Sequence, residues 1–255
     1  MAEEETITDM KHWMKGIATV VAVIFASGAY AQEQRCGVVF SGEVDIVSNY
    51  MWRGLREAGA SIQPSLAMQA GNFSVAAWGT TDFAAASYKE MDLTVAYELG
   101  PVSLSLADIY CVTPAGQKRY GYFDFTKGSP HRIEAGVKWR VSEQVPVTLA
   151  WYTTVWGGSD YNAAGRRAYA SYAEVSYPFA VKGIELRAGI GVVPWNSVGV
   201  YGIDRDFYVQ DIFISAGRSW TFEGLAGLEF GIFTSVSWNP ALEDVNFTGG
   251  LSFRM

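Results

Sequence analysis

The sequence predicts a single antiparallel up-and-down transmembrane β-barrel of about 12 strands. Three observations carry this. Apolar and polar residues alternate from end to end of the mature chain. The alternating runs are about 10 residues long. Short and long connections follow one another in turn. A period of two is a strand with two unlike faces. Soluble strands usually run about 5–6 residues, whereas a tilted strand needs about 9–11 to cross a bilayer.

The alternation is explicit in "KEMDLTVAYEL". Met91, Leu93, Val95, Tyr97 and Leu99 share one face, and Glu90, Asp92, Thr94 and Glu98 share the other. "HRIEAGVKWRV" sets Ile133, Ala135, Val137, Trp139 and Val141 against Arg132, Glu134, Lys138 and Arg140. "GIELRAGIGV", "GLEFGIFTSVSW" and "NFTGGLSFRM" repeat the scheme. The expected strands are 41–54, 61–70, 73–83, 89–99, 102–112, 131–141, 147–156, 167–178, 183–193, 207–218, 226–238 and 246–255. Gly71-Asn72, Gly100-Pro101, "SEQVP", "PFAVK" and "SWTFEGL" read as short turns. "TPAGQKRYGYFDFTKGSP", "GGSDYNAAGRR" and "PWNSVGVYGIDRD" read as long loops. Short periplasmic turns and long outer loops are the habit of outer-membrane barrels, and an even strand number brings both termini to the periplasm.

Composition agrees. The chain of 255 residues is 49% hydrophobic and only 18% charged, against about a quarter charged in ordinary soluble domains. A net charge of -7 without a basic stripe argues against a nucleic-acid partner. Lys11 and Lys15 precede the apolar run "GIATVVAVIFASGAYA", which ends in a small-x-small site at Ala29-Tyr30-Ala31. Residues 1–31 therefore read as a secretory signal peptide, with Met10 a candidate start, and 32–255 as the barrel domain.

The apolar face is expected to meet outer-membrane lipid, because about twelve strands enclose a lumen too wide to pack dry. Aromatics near strand ends, with Tyr50, Trp52 and Trp238 at the loop rim and Tyr97, Trp139 and Tyr177 at the turn rim, read as interfacial girdles. The polar face then lines the lumen. It carries Glu43, Asp45, Asn49, Arg53, Gln63, Trp78, Asp82, Glu90, Asp92, Arg132, Glu134, Lys138, Arg140, Glu185, Arg187 and Glu229, with Glu98, Glu174, Asp211 and Arg254. Its acids outnumber its bases, which suits a water-filled pore for small solutes or ions with a mild cation preference. The same residues could instead pair into a ladder that closes a structural or binding barrel.

Within the opening strand, "SNYMWRG" (Ser48–Gly54), followed by "QPSL" (Gln63–Leu66) and "WGTTDF" (Trp78–Phe83), resembles the TorF-type porin family of bacterial outer-membrane β-barrels and its S-x-Y-x-x-R-G signature. The resemblance implies an exported barrel of porin type and no particular substrate. Arg53 is the residue of greatest interest: it could pair with Asp82 and brace the first strands, or face a solute.

A lipid hydrolase is the competing class. His131 falls on the lipid face near the loop rim, but no serine follows it in a matching motif and a triad needs an orienting third group. The sequence shows no metal-ligand cluster, phosphate loop or nucleophile elbow, and implies no cofactor. The loop Gly116–Phe125 mixes Lys118 and Arg119 with four aromatics and could enter the mouth or pack on itself. Cys36 and Cys111 fall at opposite membrane faces, about 30 Å apart, and are expected as free thiols.

Overall fold

The computed structural model describes residues 37–84, 88–112, 120–126, 128–225 and 227–255. The expected signal peptide, Cys36, Lys118 and Arg119 lie outside the described residues. Twelve antiparallel strands close into one barrel. They are β1 (Val38–Val47), β4 (Ser61–Ala70), β5 (Phe73–Asp82), β6 (Lys89–Leu99), β7 (Val102–Cys111), β8 (His131–Arg140), β9 (Thr148–Gly157), β10 (Ser171–Val181), β11 (Ile184–Val193), β12 (Tyr208–Phe222), β13 (Leu228–Asn239) and β14 (Asp244–Arg254). β2 (Tyr50–Trp52) and β3 (Leu55–Ala58) form a separate two-stranded hairpin. A four-residue helix, α1 (Val198–Tyr201), sits in the β11–β12 loop. Among the described residues, no helix is long and apolar enough to cross a membrane.

Each strand pairs with its sequence neighbour, and β1 closes the ring on β14, with Glu43 opposite Arg254 and Val47 opposite Gly250. Closure leaves no strand edge unpaired, which is what a sheet in lipid requires. Polarity is reversed from that of a soluble barrel. Leu93, Val95, Leu104, Leu106, Val175, Ile190, Ile214 and Ile232 are exposed on the outside, while Thr80, Glu90, Glu134 and Asp211 are buried. Tyr97, Trp139, Tyr177, Trp220 and Phe222 are exposed toward the turn rim, and Trp238 and Phe247 toward the loop rim. An apolar belt with aromatic edges places the outer wall in contact with membrane lipid.

Several boundaries differ from the sequence reading: β1 begins at Val38 rather than at 41 and β10 at Ser171 rather than at 167, and three strand ends move as well. The first barrel strand ends at Val47, not at residue 54, because the chain bends inward at Ser48-Asn49 to build the hairpin. "PFAVK" continues β10, and the turn falls at Lys182-Gly183, where positive φ at both residues makes a tight two-residue connection. β12 runs on through Phe222, and its turn is the 3₁₀ segment Glu223–Leu225. One bulge interrupts β12: Gly191 pairs with Asp211 and Val192 with Val209, so Gln210 is the extra residue.

The β1–β14 closure has a direct test. Gly42 and Met255 exchange two backbone hydrogen bonds, at 3.0 and 2.9 Å. Asp45 and Ser252, an odd number of residues along, therefore form a non-hydrogen-bonded pair with Cα atoms roughly 4.5 Å apart. Asp45→Cys with Ser252→Cys should cross-link under mild oxidation and shift the unreduced gel band. Asp45→Cys with Arg254→Cys, two residue pairs out of register, should not.

Candidate functional site

The β2–β3 hairpin turns at Arg53 and Gly54, with Trp52 opposite Leu55. Arg53 has φ 48° and Gly54 φ 76°. Positive φ at both central residues gives a turn whose twist matches the flanking strands. Gly54 is needed for a second reason. A Cβ there would lie 2.4 Å from the Gln210 carbonyl oxygen on β12. Its own carbonyl accepts a 3.2 Å hydrogen bond from Asn239 Nδ2 at the end of β13. The hairpin thus leaves the wall between β1 and β4 and touches the wall at β12 and β13. Its tip reaches Glu134 on β8, across the ring from β1, so the hairpin crosses the lumen.

Its tip is held by charge. Arg53 Nη1 donates to Glu134 Oε2 at 2.8 Å and Nη2 to Glu134 Oε1 at 2.6 Å, a bidentate pair. Nη1 also donates to the Tyr201 hydroxyl at 3.0 Å. The Arg53 and Glu134 side chains are only 12% and 7% exposed, so both charges are largely withdrawn from water. Burial raises the pKa of Tyr201, which stays a neutral acceptor for the guanidinium. The guanidinium carbon sits 4.3 Å from the Tyr152 ring centre, 4.9 Å from Tyr172 and 4.7 Å from Trp52. These contacts favour a desolvated cation. Room for them comes from two glycines. The Tyr152 ring lies where a side chain on Gly136 would be, and Tyr172 where one on Gly191 would be.

The rest of the hairpin packs on a small apolar cluster at the loop rim. Ala170, Tyr172, Val193, Tyr201, Ile203 and Tyr208 form it, and Trp52 and Leu55 pack against it. Trp52 stacks on Tyr201 at 5.4 Å, with the Arg132 guanidinium 4.6 Å from its ring. At the hairpin base, the Tyr50 hydroxyl donates to Glu90 Oε1 at 3.1 Å, and its ring meets Trp78 at 5.3 Å and Tyr88 at 5.9 Å. Tyr50 and Trp52 are therefore inside the barrel. They are not girdle residues, because the bend at Ser48-Asn49 carries their alternation off the wall.

Arg53 does not pair with Asp82. Asp82 instead accepts the Tyr88 backbone N–H at 3.1 Å and holds the β5–β6 connection. Glu90 also takes hydrogen bonds from Tyr88 and from the free thiol Cys111. Asn49 donates to the Phe247 carbonyl at 2.8 Å, and Ser48 accepts the Gly249 N–H at 3.0 Å, so the bend is fastened to β14. Gln63 bonds Thr80 at 3.4 Å. Glu43 takes Arg254 at 2.8 Å, and Glu229 lies 3.6 Å from the same arginine. Arg187 pairs with Glu174. Asp45 and Asp92 each have a buried oxygen with no partner among the described residues. Glu185, Lys138 and Arg140 are exposed.

His131 is on the outward side, as parity requires, but it is not interfacial. It is 1% exposed. Residues 120–126 lie over it: Phe125 stacks at 4.1 Å, Nε2 donates to the Tyr122 carbonyl at 2.6 Å, and Nδ1 meets Asp108 at 2.8 Å. Nε2 holds the loop directly, and Nδ1 holds Asp108 of β7, which in turn accepts the Tyr122 hydroxyl.

No family model and no curated protein matches the chain. Among solved structures it is similar to Pseudomonas aeruginosa OccK11 (OpdR), at 12% identity over 87% of this chain and 67% of that one, with TM-score 0.37. A bacterial polysaccharide outer membrane secretin is similar at 10% identity over 85% and 97%, TM-score 0.40. Salmonella typhi OmpF in complex with daunomycin is similar at 9% over 86% and 97%, TM-score 0.35. These are faint likenesses of shape, and the barrel rests on its own strand pairing.

Removing Glu134 leaves a guanidinium buried without its counter-charge, which costs roughly 3–5 kcal/mol. Glu134→Ala should therefore release the tip and shift Trp52 fluorescence to longer wavelength. Arg53→Lys should release it as well, because an ammonium cannot make the planar two-point contact with Glu134. Gly54→Ala should have the same effect with the ion pair intact. Unchanged emission in all three would contradict the pinned hairpin.

Proposed function

We propose that this chain is a bacterial outer-membrane barrel that passes small solutes or ions, with the β2–β3 hairpin as its constriction. The observation that carries the reading is the hairpin itself, folded into a charged lumen and fastened at its tip to Glu134. Below it the lumen keeps a cavity of about 760 Å³ lined by charged and hydroxyl side chains. A rigid inward element set in a polar lumen limits the size of what passes, and rings of fixed charge bias its sign. The similarity to the TorF-type porin family agrees with this assignment, as does the secretory segment at residues 1–31. In this reading the turn rim and both barrel termini are periplasmic, and the loops face outward.

One observation favours the alternative of a closed structural or binding barrel: the hairpin reaches from the β1–β4 seam to Glu134 on β8. Conductance separates the two. In planar bilayers the native protein should give small unitary steps. Replacing residues 49–59 by a short Gly-Ser linker should enlarge them several-fold while the protein stays heat-modifiable. A folded, hairpin-free barrel that conducts nothing would overturn the channel and leave the closed barrel.

A further inference from the structure

The cavity below the hairpin is unlike the lumen above it in charge. Six charged side chains line it: Arg53, Lys138, Arg140, Arg187, Glu98 and Glu174. Two of the cations are already matched, Arg53 by Glu134 and Arg187 by Glu174. Lys138 and Arg140 make no ion pair with any described residue, and both are exposed into the cavity. They are two residues apart on β8, hence on one face and roughly 7 Å apart. Glu98 is the one unmatched acid. In register it lies opposite Ser103, which lies opposite Lys138, so it stands two strands away, at about 9–10 Å.

Hydroxyls complete the lining. Ser103 flanks Lys138, and Thr148 is the register partner of Arg140. The cavity roof is Trp52 with Tyr152 and Tyr172, the rings that hold Arg53. Two free cations with hydroxyl donors beside them, below an aromatic roof, form a receptor for an oxyanion on a small organic body. The whole polar face is rich in acid and suggested a cation preference. The acids near the hairpin base, Glu90 and Asp82, are engaged by hydrogen bonds from Tyr50, Tyr88 and Cys111 and lie outside the cavity lining. Within the cavity two unmatched cations face one unmatched acid, so its lining is net positive.

We propose that the turn-rim cavity is a binding site for small organic oxyanions, carboxylate or phosphate, held by Lys138 and Arg140. The site rests on the reading that the lumen admits solutes, and it deepens that reading by assigning the solute's charge. Glu98 opposes the bound anion from across the cavity and keeps occupancy weak, so that the solute can leave.

Phenylacetate, phenyl phosphate and neutral phenylacetamide serve as probes, titrated into the folded protein in detergent with calorimetric readout. Both anions should bind, and the amide should not. Lys138→Gln or Arg140→Gln should weaken each anion about tenfold. Glu98→Gln should tighten binding, an effect that a merely structural role for these residues would not produce. Equal binding of amide and anion, or an unchanged affinity in the Lys138→Gln/Arg140→Gln double variant with its heat-modifiable mobility intact, would overturn the site. So would weaker binding in Glu98→Gln. The titration needs no transport. Conductance without anion binding removes this site and leaves the channel, and anion binding without conductance removes the channel alone.

Discussion

A guanidinium buried in a lumen needs a carboxylate, and the position of Glu134 decides the shape of everything near it. Two desolvated charges must meet in good geometry, because either one left alone costs several kcal/mol. Glu134 is on β8, far around the ring from β1. The chain reaches it by leaving the wall after Val47 and projecting a hairpin inward, with Arg53 at its turn. The turn demands positive φ, the near wall demands no side chain at Gly54, and the flat rings of Tyr152 and Tyr172 demand Gly136 and Gly191 beneath them. The loop carrying Tyr201 then folds down to supply the remaining acceptor and the surface on which Trp52 stacks.

This arrangement divides the lumen by function. The hairpin base and the β5–β6 side are an internally satisfied network of Tyr50, Tyr88, Cys111, Glu90 and Asp82. The tip is a cation among aromatic faces. The turn-rim cavity presents two cations, Lys138 and Arg140, that no described carboxylate pairs. The outer wall obeys a separate rule, apolar at every second residue, so the two faces of a strand such as β8 answer to different solvents. At the loop rim, His131 is tied into Asp108 and the Tyr122 carbonyl, and its ring serves to hold a loop on the wall.

Alternation made most of the barrel readable. Strands β4 to β9 and β11 follow it within a residue or two, since each is half in lipid and half in the lumen. The first strand misled because β2 keeps the same period: Tyr50 and Trp52 still alternate with Asn49, Met51 and Arg53. Only Ser48-Asn49 marked the bend, and Arg-Gly is a weaker turn signal than Asn-Gly. Arg53 sits at the hairpin turn, and its partner lies 81 positions away on a strand that is remote in the ring. No local spacing encodes that contact. Asp82 is the nearer acid, and a flat first strand would have offered it. The covering of His131 by residues 120–126 was likewise invisible, because parity assigns a face and says nothing of what loop lies over it.

The central claim is that the hairpin spans the lumen and is pinned at its tip. Spin labels on Arg56→Cys in the hairpin and Lys138→Cys on the lumen face of β8 measure it most directly, by the distance distribution between them in lipid. The account predicts one narrow, short distance in the native background, broadened when Glu134→Ala is added. A broad distribution in the native background, unaltered by Glu134→Ala, would contradict it.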